Sequence, residues 1–219
     1  MLFDMDGTLL DSEPLWEIAL RLLASQHGGN LTEAARQAMK GRNVADLLRV
    51  FYADLGLRAT DPAADSQFLL DRMCELFATS LTWRPGAAEL VAEVRAAGVP
   101  TALVTSTVRR LVEVARASTL GHDTFDLVIC GNDVTRPKPH PESYVRAATG
   151  LGVPIRHCVA IEDSLAGIAS ATAAGAVVVG VPDPPLPADL DGAHLVDGLA
   201  GVDLRYLAQL VDQRRRSAG

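Results

Sequence analysis

The sequence predicts an α/β protein whose parallel sheet is interrupted, after its first strand, by a wholly helical segment. From about residue 83 onward, apolar runs of strand length alternate with segments of helical periodicity. Such alternation is typical of a parallel sheet with helices on both faces. Residues 13 to about 80, in contrast, contain helical patterns and no convincing strand. We therefore expect an α/β core formed by residues 1–12 and 82–219, and a helical cap domain formed by residues 13–81.

The helical segment is expected to contain four helices. The first ends at residues 28–29, a pair of glycines. Thr32 and Asn43 stand where they can cap the second and third helices, and the fourth spans about residues 62–80. Because the segment follows directly on an acidic turn, we predict that it lies over that turn as a lid.

Five parallel strands form the predicted sheet, the first ending at Asp4 and the others at residues 99–104, 125–130, 157–161 and 176–181. The intervening helices are expected at residues 85–97, 108–120, 141–149 and 165–174, with a last one at 204–214. After Pro182 we expect a loop rich in proline and aspartate, and a further short strand near residues 194–196 is left open. Only three residues precede Asp4, so either the first strand is short or the true start lies upstream of Met1.

The acidic turn, residues 4–9, carries two carboxylates one residue apart, Asp4 and Asp6. Close carboxylates repel each other and are tolerated in water or around a cation. A hard divalent ion such as Mg²⁺ takes oxygen ligands and often binds substrate phosphate as well. A plain polar turn is the alternative, whereas a calcium loop is excluded, since its required glycine and glutamate would fall on Leu9 and Leu15.

Three other stretches follow predicted strands, so the carboxyl edge of the sheet would bring them near the acidic turn. Residues 105–107 offer hydroxyls and a helix start to a phosphate, or they simply cap that helix. Lys138 lies among three prolines and would present a fixed positive charge, unless it is an ordinary surface lysine. Glu162 and Asp163 add two acids, or merely begin a helix.

These stretches carry a family resemblance. Residues 4–9, Asp-Met-Asp-Gly-Thr-Leu, resemble the signature of the haloacid dehalogenase (HAD) superfamily of phosphotransferases. Residues 10–15 resemble its branch of sugar-phosphate phosphatases and β-phosphoglucomutases. Lys-Pro-His-Pro at residues 138–141 matches the family's K-P-x-P motif, residues 162–167 match E-D-S-x-x-G, and Thr105 falls at the family's hydroxyl position. The motifs occur in the family's order, and the resemblance covers the whole chain.

The resemblance implies a Rossmann-like HAD core with strand order 5-4-1-2-3 and a Mg²⁺-dependent aspartyl-phosphate mechanism. In that mechanism Asp4 is the nucleophile and a metal ligand. Asp6 is the general acid and base and ligates the metal through its backbone carbonyl. Asp163 is a direct metal ligand, and Glu162 is a ligand in some members of the family and lies behind the ligands in others.

The phosphate-binding residues are implied in the same way. Lys138 and Thr105 hold the phosphate oxygens, with Ser106 beside them as a further substrate-binding residue. Arg42, together with Lys40, stands near the first turn of the cap and could contact the leaving group. The alternative for these two residues is solvated surface charge.

The resulting hypothesis is a phosphatase that acts on a small phosphorylated metabolite, a sugar phosphate or a similar monoester. A β-phosphoglucomutase-like phosphomutase is the main alternative, but the segment in which those mutases carry a histidine offers Trp16 here. A dehalogenase needs no second acid, so Asp6 argues against it. A non-catalytic regulator could have lost core residues, and none is missing.

Composition limits the other possibilities. The chain has 219 residues, a net charge of −7 and no basic cluster apart from residues 214–216, which does not favour nucleic-acid binding. No apolar run approaches membrane-spanning length and no signal peptide is visible. Three scattered cysteines are typical of reduced thiols in a cytoplasmic protein. We expect a cytoplasmic monomer or weak dimer.

Overall fold

The computed structural model describes residues 1–58, 61–181 and 192–217. The loop expected after Pro182 lies outside these ranges. Within them, six strands form one sheet: β1 (Leu2–Phe3), β2 (Ala102–Val104), β3 (Leu127–Ile129), β4 (Val159–Glu162), β5 (Val177–Gly180) and β6 (Ala193–Leu195). Their order is β3-β2-β1-β4-β5-β6, and every neighbouring pair is parallel.

The sheet confirms the predicted α/β fold and the strand order, but the expected number of five strands is wrong. The sixth strand, β6, pairs in parallel with β5 at the edge of the sheet, with Val179 opposite His194. Its central residue is exposed while Ala193 and Leu195 are half-buried. Such a short edge strand lacks the continuous apolar run that marks strands buried on both faces.

The first strand is two residues long and lies at the centre of the sheet, between β2 and β4. Both of its side chains are fully buried. Backbone hydrogen bonds extend the pairing on either side, since Met1 O accepts from Ala102 N at 2.9 Å and Asp4 N donates to Ile161 O at 3.0 Å. The central position of β1 fixes where Asp4 leaves the sheet.

The described residues contain nine α-helices, and the predicted fourth helix has the observed limits. They are α1 (Glu13–Gln26), α2 (Glu33–Met39), α3 (Val44–Asp54), α4 (Pro62–Ser80), α5 (Ala87–Ala96), α6 (Arg109–Ala115), α7 (Glu142–Gly150), α8 (Leu165–Ala174) and α9 (Leu204–Ser217). The single helix expected at residues 108–120 changes to π geometry at Arg116–Leu120.

Helices α1 to α4 fill the chain between β1 and α5, as the helical pattern predicts. The expected caps of α2 and α3 are confirmed: the side chain of Thr32 accepts from Ala35 N at 3.1 Å, and that of Asn43 accepts from Asp46 N at 3.0 Å. One apolar cluster runs from the sheet into these four helices. The division into core and cap domains stays a prediction.

The remaining expectations from composition concern thiols and membranes. All three cysteines are free, and Cys130 and Cys158 are buried. Within the described ranges, none of the helices combines the length and the apolar character that crossing a bilayer requires.

Candidate active site

The acidic turn leaves β1 at the carboxyl edge of the sheet and immediately reverses. Asp4, the first residue after the strand, is only 6% exposed. Gly7 adopts φ +77°, a backbone conformation that residues with a side chain rarely adopt. A Cβ at Gly7 would also lie 2.2 Å from Oδ2 of Asp163, the residue that follows β4. Gly7 is therefore needed for the turn and for the close approach of the two acidic motifs.

Three carboxylates converge at this edge. Asp4, Glu162 and Asp163 each place an oxygen within 4.8 Å of the other two. Lys138 reaches the same point, with Nζ donating to Asp4 Oδ1 at 2.7 Å and to Glu162 Oε1 at 2.5 Å. The Lys138 side chain is 4% exposed, so the interpretation of this residue as an ordinary surface lysine is wrong.

The electrostatics of the cluster favour a bound cation. Burial raises the pKa of Asp4 well above its usual range, with Glu162 adding to the rise and Lys138 opposing it. Burial and Glu162 likewise raise the pKa of Asp163 to about 7. Burial alone would lower the pKa of Lys138, but the two carboxylates raise it, so this ammonium stays charged. When all three carboxylates are ionised, two negative charges remain unbalanced, which suits a divalent cation with oxygen ligands.

The raised pKa of Asp163 predicts how the stability of the metal-free protein depends on pH. The unfolded carboxyl releases its proton near pH 4, whereas the folded one keeps it up to about pH 7. Because the folded state binds more protons in this window, the free energy of unfolding falls as pH rises through it. We expect Asp163→Asn to flatten this decline. Thermal unfolding of the wild type and of Asp163→Asn in chelator between pH 5 and 8 measures this difference. If the unfolding free energy of both proteins fell equally with pH, the raised pKa of Asp163 would be contradicted.

The carboxylate of Asp6 is not part of the acidic cluster. Oδ1 accepts from Ser12 Oγ at 2.8 Å, and Oδ2 accepts from Thr107 Oγ1 at 2.7 Å and from Thr105 Oγ1 at 3.2 Å. These three hydroxyls satisfy the Asp6 carboxylate. The expectation that Asp6 binds the metal concerned its backbone carbonyl, and this stays a prediction.

The segment after β2 does not act as a simple helix cap. Helix α6 is preceded by Val108, which offers no side-chain cap, so the interpretation of Ser106 or Thr107 as the N-cap residue is wrong. The backbone N–H of Thr107 donates instead to Thr105 Oγ1 at 3.0 Å. All three residues from 105 to 107 line the same cavity as Asp4.

The end of β4 places Glu162 under the site. This carboxylate is fully buried and accepts from Tyr144 Oη at 2.5 Å and from Ser164 Oγ at 3.3 Å, in addition to Lys138. A Cβ at Gly167 would lie 2.0 Å from its carboxyl carbon, so the glycine of the E-D-S-x-x-G stretch leaves the space that Glu162 occupies. Ser164, rather than either acid, caps α8 by accepting from Gly167 N at 3.1 Å.

A cavity of about 990 Å³ opens over these residues. Its floor includes Asp4, Asp163 and Lys138, and its wall includes residues of helices α1 to α3 and the turns between them. Trp16 and Met39 contribute apolar surface to that wall, and Lys40 and Arg42 contribute charge. Both of these cationic residues are exposed, and Arg42 Nε donates to Ala38 O at 2.5 Å. Contact between Arg42 and a substrate stays a prediction.

Several contacts in the site were not anticipated from the sequence. Thr8 Oγ1 donates to Asp163 Oδ1 at 2.9 Å, and Ser12, Thr107 and Tyr144 each hold an acidic side chain. Thr8 belongs to the Gly-Thr of the acidic turn, so its presence in the signature was a usable signal. Nothing in the spacing of the other three indicates which carboxylate they reach.

The site and the fold agree with comparisons to known proteins. The haloacid dehalogenase-like hydrolase model matches residues 1–175. The chain therefore belongs to the haloacid dehalogenase-like hydrolases, as its motifs indicated, and is an enzyme of that family.

Its relatives fall in the predicted branch. Protein CbbY of Rhodobacter capsulatus is 33% identical over 191 residues, which cover 83% of this chain and 84% of CbbY. Hexitol phosphatase A of Escherichia coli (strain K12) is 35% identical over 199 residues, covering 90% and 87%. A crystal structure of mutant CbbY from Rhodobacter sphaeroides in complex with xylulose-(1,5)bisphosphate matches with a TM-score of 0.83 and 28% identity, over 94% of this chain and 97% of the other.

Proposed function

We propose that this protein is a Mg²⁺-dependent phosphatase that hydrolyses a small phosphorylated metabolite, a sugar or sugar-alcohol phosphate, through an aspartyl-phosphate on Asp4. The observation that carries the proposal is the Asp4 carboxylate, buried at the end of β1, bonded to Lys138 and open to the large cavity. Relatives that are hexitol phosphatases, and a CbbY structure that holds a sugar bisphosphate, support this substrate class.

The donor set fits magnesium. The ion would be held by Asp4, Asp163 and the backbone carbonyl of Asp6. Among the described residues, Glu162 Oε2 accepts only one hydrogen bond, from Ser164 Oγ at 3.3 Å. Bound there, Mg²⁺ would supply charge that offsets the repulsion between the Asp4 carboxylate and the phosphate. These are hard oxygen ligands, which Mg²⁺ prefers.

The chain's own residues carry the chemistry. An Asp4 oxygen attacks phosphorus in line, the bond from phosphorus to the ester oxygen breaks, and Asp6 protonates that oxygen as the alcohol leaves. Asp6 then takes a proton from a water that attacks the phosphoaspartate, which frees inorganic phosphate and restores Asp4. Asp6 can reach the leaving oxygen because it lines the cavity with Asp4, and three hydroxyls hold its carboxylate in place.

The remaining phosphate oxygens face positive or donating groups. Lys138 Nζ and Thr105 Oγ1 would bind them, with Ser106 beside them, and Lys138 would pull charge away from Asp4 as the bond forms. Cavities of about 300–1,000 Å³ suit small-molecule ligands, and this one lies at the upper end of that range. The leaving group would lie against the α1 to α3 wall, where Arg42 would contact it.

Hydrolysis is favoured over phosphoryl isomerisation by one residue of that wall. Trp16 lines the cavity in the segment where the β-phosphoglucomutases resembled here carry a histidine. An indole has a donor only and cannot act as a general acid or base, so this segment lacks the histidine of those mutases.

The proposal is tested by a phosphate-release screen over sugar phosphates, hexitol phosphates, phosphoglycolate, glycerol phosphates and nucleotides. We expect turnover with a sugar or hexitol phosphate that vanishes in chelator and returns with Mg²⁺. Ca²⁺ should bind but support little turnover, because it accepts more ligands and looser geometry. With β-glucose 1-phosphate and a trace of the bisphosphate, phosphate should form faster than glucose 6-phosphate. Full activity after exhaustive chelation, or the reverse product ratio, would contradict the proposal.

A further inference from the structure

We propose that Tyr144 is a positioning residue for phosphoryl transfer. Its hydroxyl fixes the position of Glu162, and through Glu162 it fixes the positions of Lys138 and of the metal-binding carboxylates. The inference rests on the function proposed above. It concerns a residue of α7 that lies beneath the site and outside the stretches that carry the family resemblance.

The position of Tyr144 is set by the core. It is fully buried and packs in an apolar cluster with residues of β1, β2 and β4, among them Leu2, Val104 and Ala160. Its ring therefore has little freedom to move. Its hydroxyl is the polar end of a side chain that reaches from this cluster up to the floor of the active site.

The hydroxyl and Lys138 share one oxygen. Tyr144 Oη donates to Glu162 Oε1 at 2.5 Å, and Lys138 Nζ donates to the same atom at 2.5 Å. A fully buried carboxylate needs donors, because desolvation of an ion is costly. With the phenol in place, Glu162 accepts from two donors, so its position does not depend on Lys138 alone. Without the phenol, Lys138 becomes the main donor to Glu162 and is drawn away from Asp4.

The ring supports the lysine as well. Lys138 Nζ lies 5.1 Å from the centroid of the Tyr144 ring, within the range of a cation–π contact. The ammonium therefore contacts this ring as well as two carboxylates, Asp4 and Glu162, and the carbonyl oxygen of Val104. A phenylalanine would keep this packing and lose only the hydroxyl, so Tyr144→Phe isolates the proposed role.

A second buried tyrosine provides a matched control. Tyr52 Oη donates to Asp65 Oδ2 at 2.6 Å, in the helical segment and outside the cavity wall. Tyr52→Phe therefore removes the same kind of phenol–carboxylate hydrogen bond without touching the site. Both variants should lose a comparable amount of thermal stability.

The measurements are Mg²⁺ affinity by calorimetry, kcat and KM on the best substrate of the screen, and the melting temperature. Partners behind metal ligands typically affect metal affinity or activity by about 10–100-fold. We expect Tyr144→Phe to weaken Mg²⁺ binding and lower kcat by about tenfold, with KM changed less. Tyr52→Phe should stay within about twofold of wild type in all three kinetic and binding values. Equal Mg²⁺ affinity and equal kcat in the two variants would overturn the proposal.

Two further readouts separate this inference from the proposed function. A crystal structure of metal-free Tyr144→Phe should show Lys138 Nζ displaced from Asp4 Oδ1, and an unchanged contact would overturn the inference even if the wild type proved to be no phosphatase. In a double-mutant cycle, adding Tyr144→Phe to Glu162→Gln should reduce kcat and Mg²⁺ affinity much less than Tyr144→Phe does in the wild type. Additive effects would show that Tyr144 does not act through Glu162. A wild type without turnover would count against the proposed function alone.

Discussion

Asp4→Asn is expected to reduce phosphate release by about 10⁴-fold or more while the protein stays folded, because an amide is a very poor nucleophile. General acid–base effects alone are worth about 10²–10⁴, and loss of a covalent nucleophile costs at least as much. The substitution preserves the shape of a side chain that is buried and bonded to Lys138. It should also relieve part of the repulsion among the clustered carboxylates, so the metal-free variant should be no less stable than the wild type.

The control for this experiment is Asp123→Asn, an acidic residue exposed in a surface turn. It should keep the wild-type rate. Phosphate release by Asp4→Asn above about a hundredth of the wild-type rate would remove Asp4 from the role of nucleophile, given the magnitude expected of acid–base effects alone.

Lys138→Met is expected to cost about 3–5 kcal/mol of unfolding free energy at pH 8 in chelator, since it strips two buried carboxylates of their ion-pair partner. The lysine contacts Asp4 and Glu162 at 2.7 and 2.5 Å. The loss should shrink toward pH 5, because the Asp4 carboxyl, whose pKa burial already raises, takes up a proton there. Mg²⁺ should restore part of the stability at pH 8 but little of the activity.

Denaturant unfolding of Lys138→Met and of Lys40→Met at both pH values measures this effect. Lys40 is exposed, and its replacement should change the unfolding free energy by no more than about 0.5 kcal/mol. If Lys138→Met proved as stable as Lys40→Met at pH 8, the ion pairs of Lys138 with Asp4 and Glu162 would not stabilise the site.

The convergence of the acidic motifs could be predicted because it depends on topology. Parallel strands end at one edge of the sheet, so Asp4 and Asp163 are brought together once β1 and β4 are neighbours. That neighbour relation came from the family resemblance. Gly7 and Gly167 show why the motifs contain glycine, since a Cβ at either position would overlap an acidic side chain.

Other features could not be predicted because they depend on side-chain rotation. The sequence places Asp6 in the acidic turn but does not show that its carboxylate faces Ser12 and Thr107 instead of the acidic cluster. Tyr144 reaches Glu162 only because α7 packs against the sheet and turns that residue inward. The edge strand β6 was left open for a similar reason, since its pairing with β5 gives little apolar signal.

The most direct test of the mechanism is to trap the intermediate. Rapid acid quenching during turnover of p-nitrophenyl phosphate, followed by intact-mass and peptide analysis, should show one added phosphoryl group on the peptide that contains Asp4. The added phosphoryl group should be absent from Asp4→Asn and should accumulate in a variant with slowed hydrolysis of the intermediate, such as Asp6→Asn. Phosphate release that proceeds at full rate with no phosphorylated enzyme at any quench time, or with label on another residue, would contradict the account.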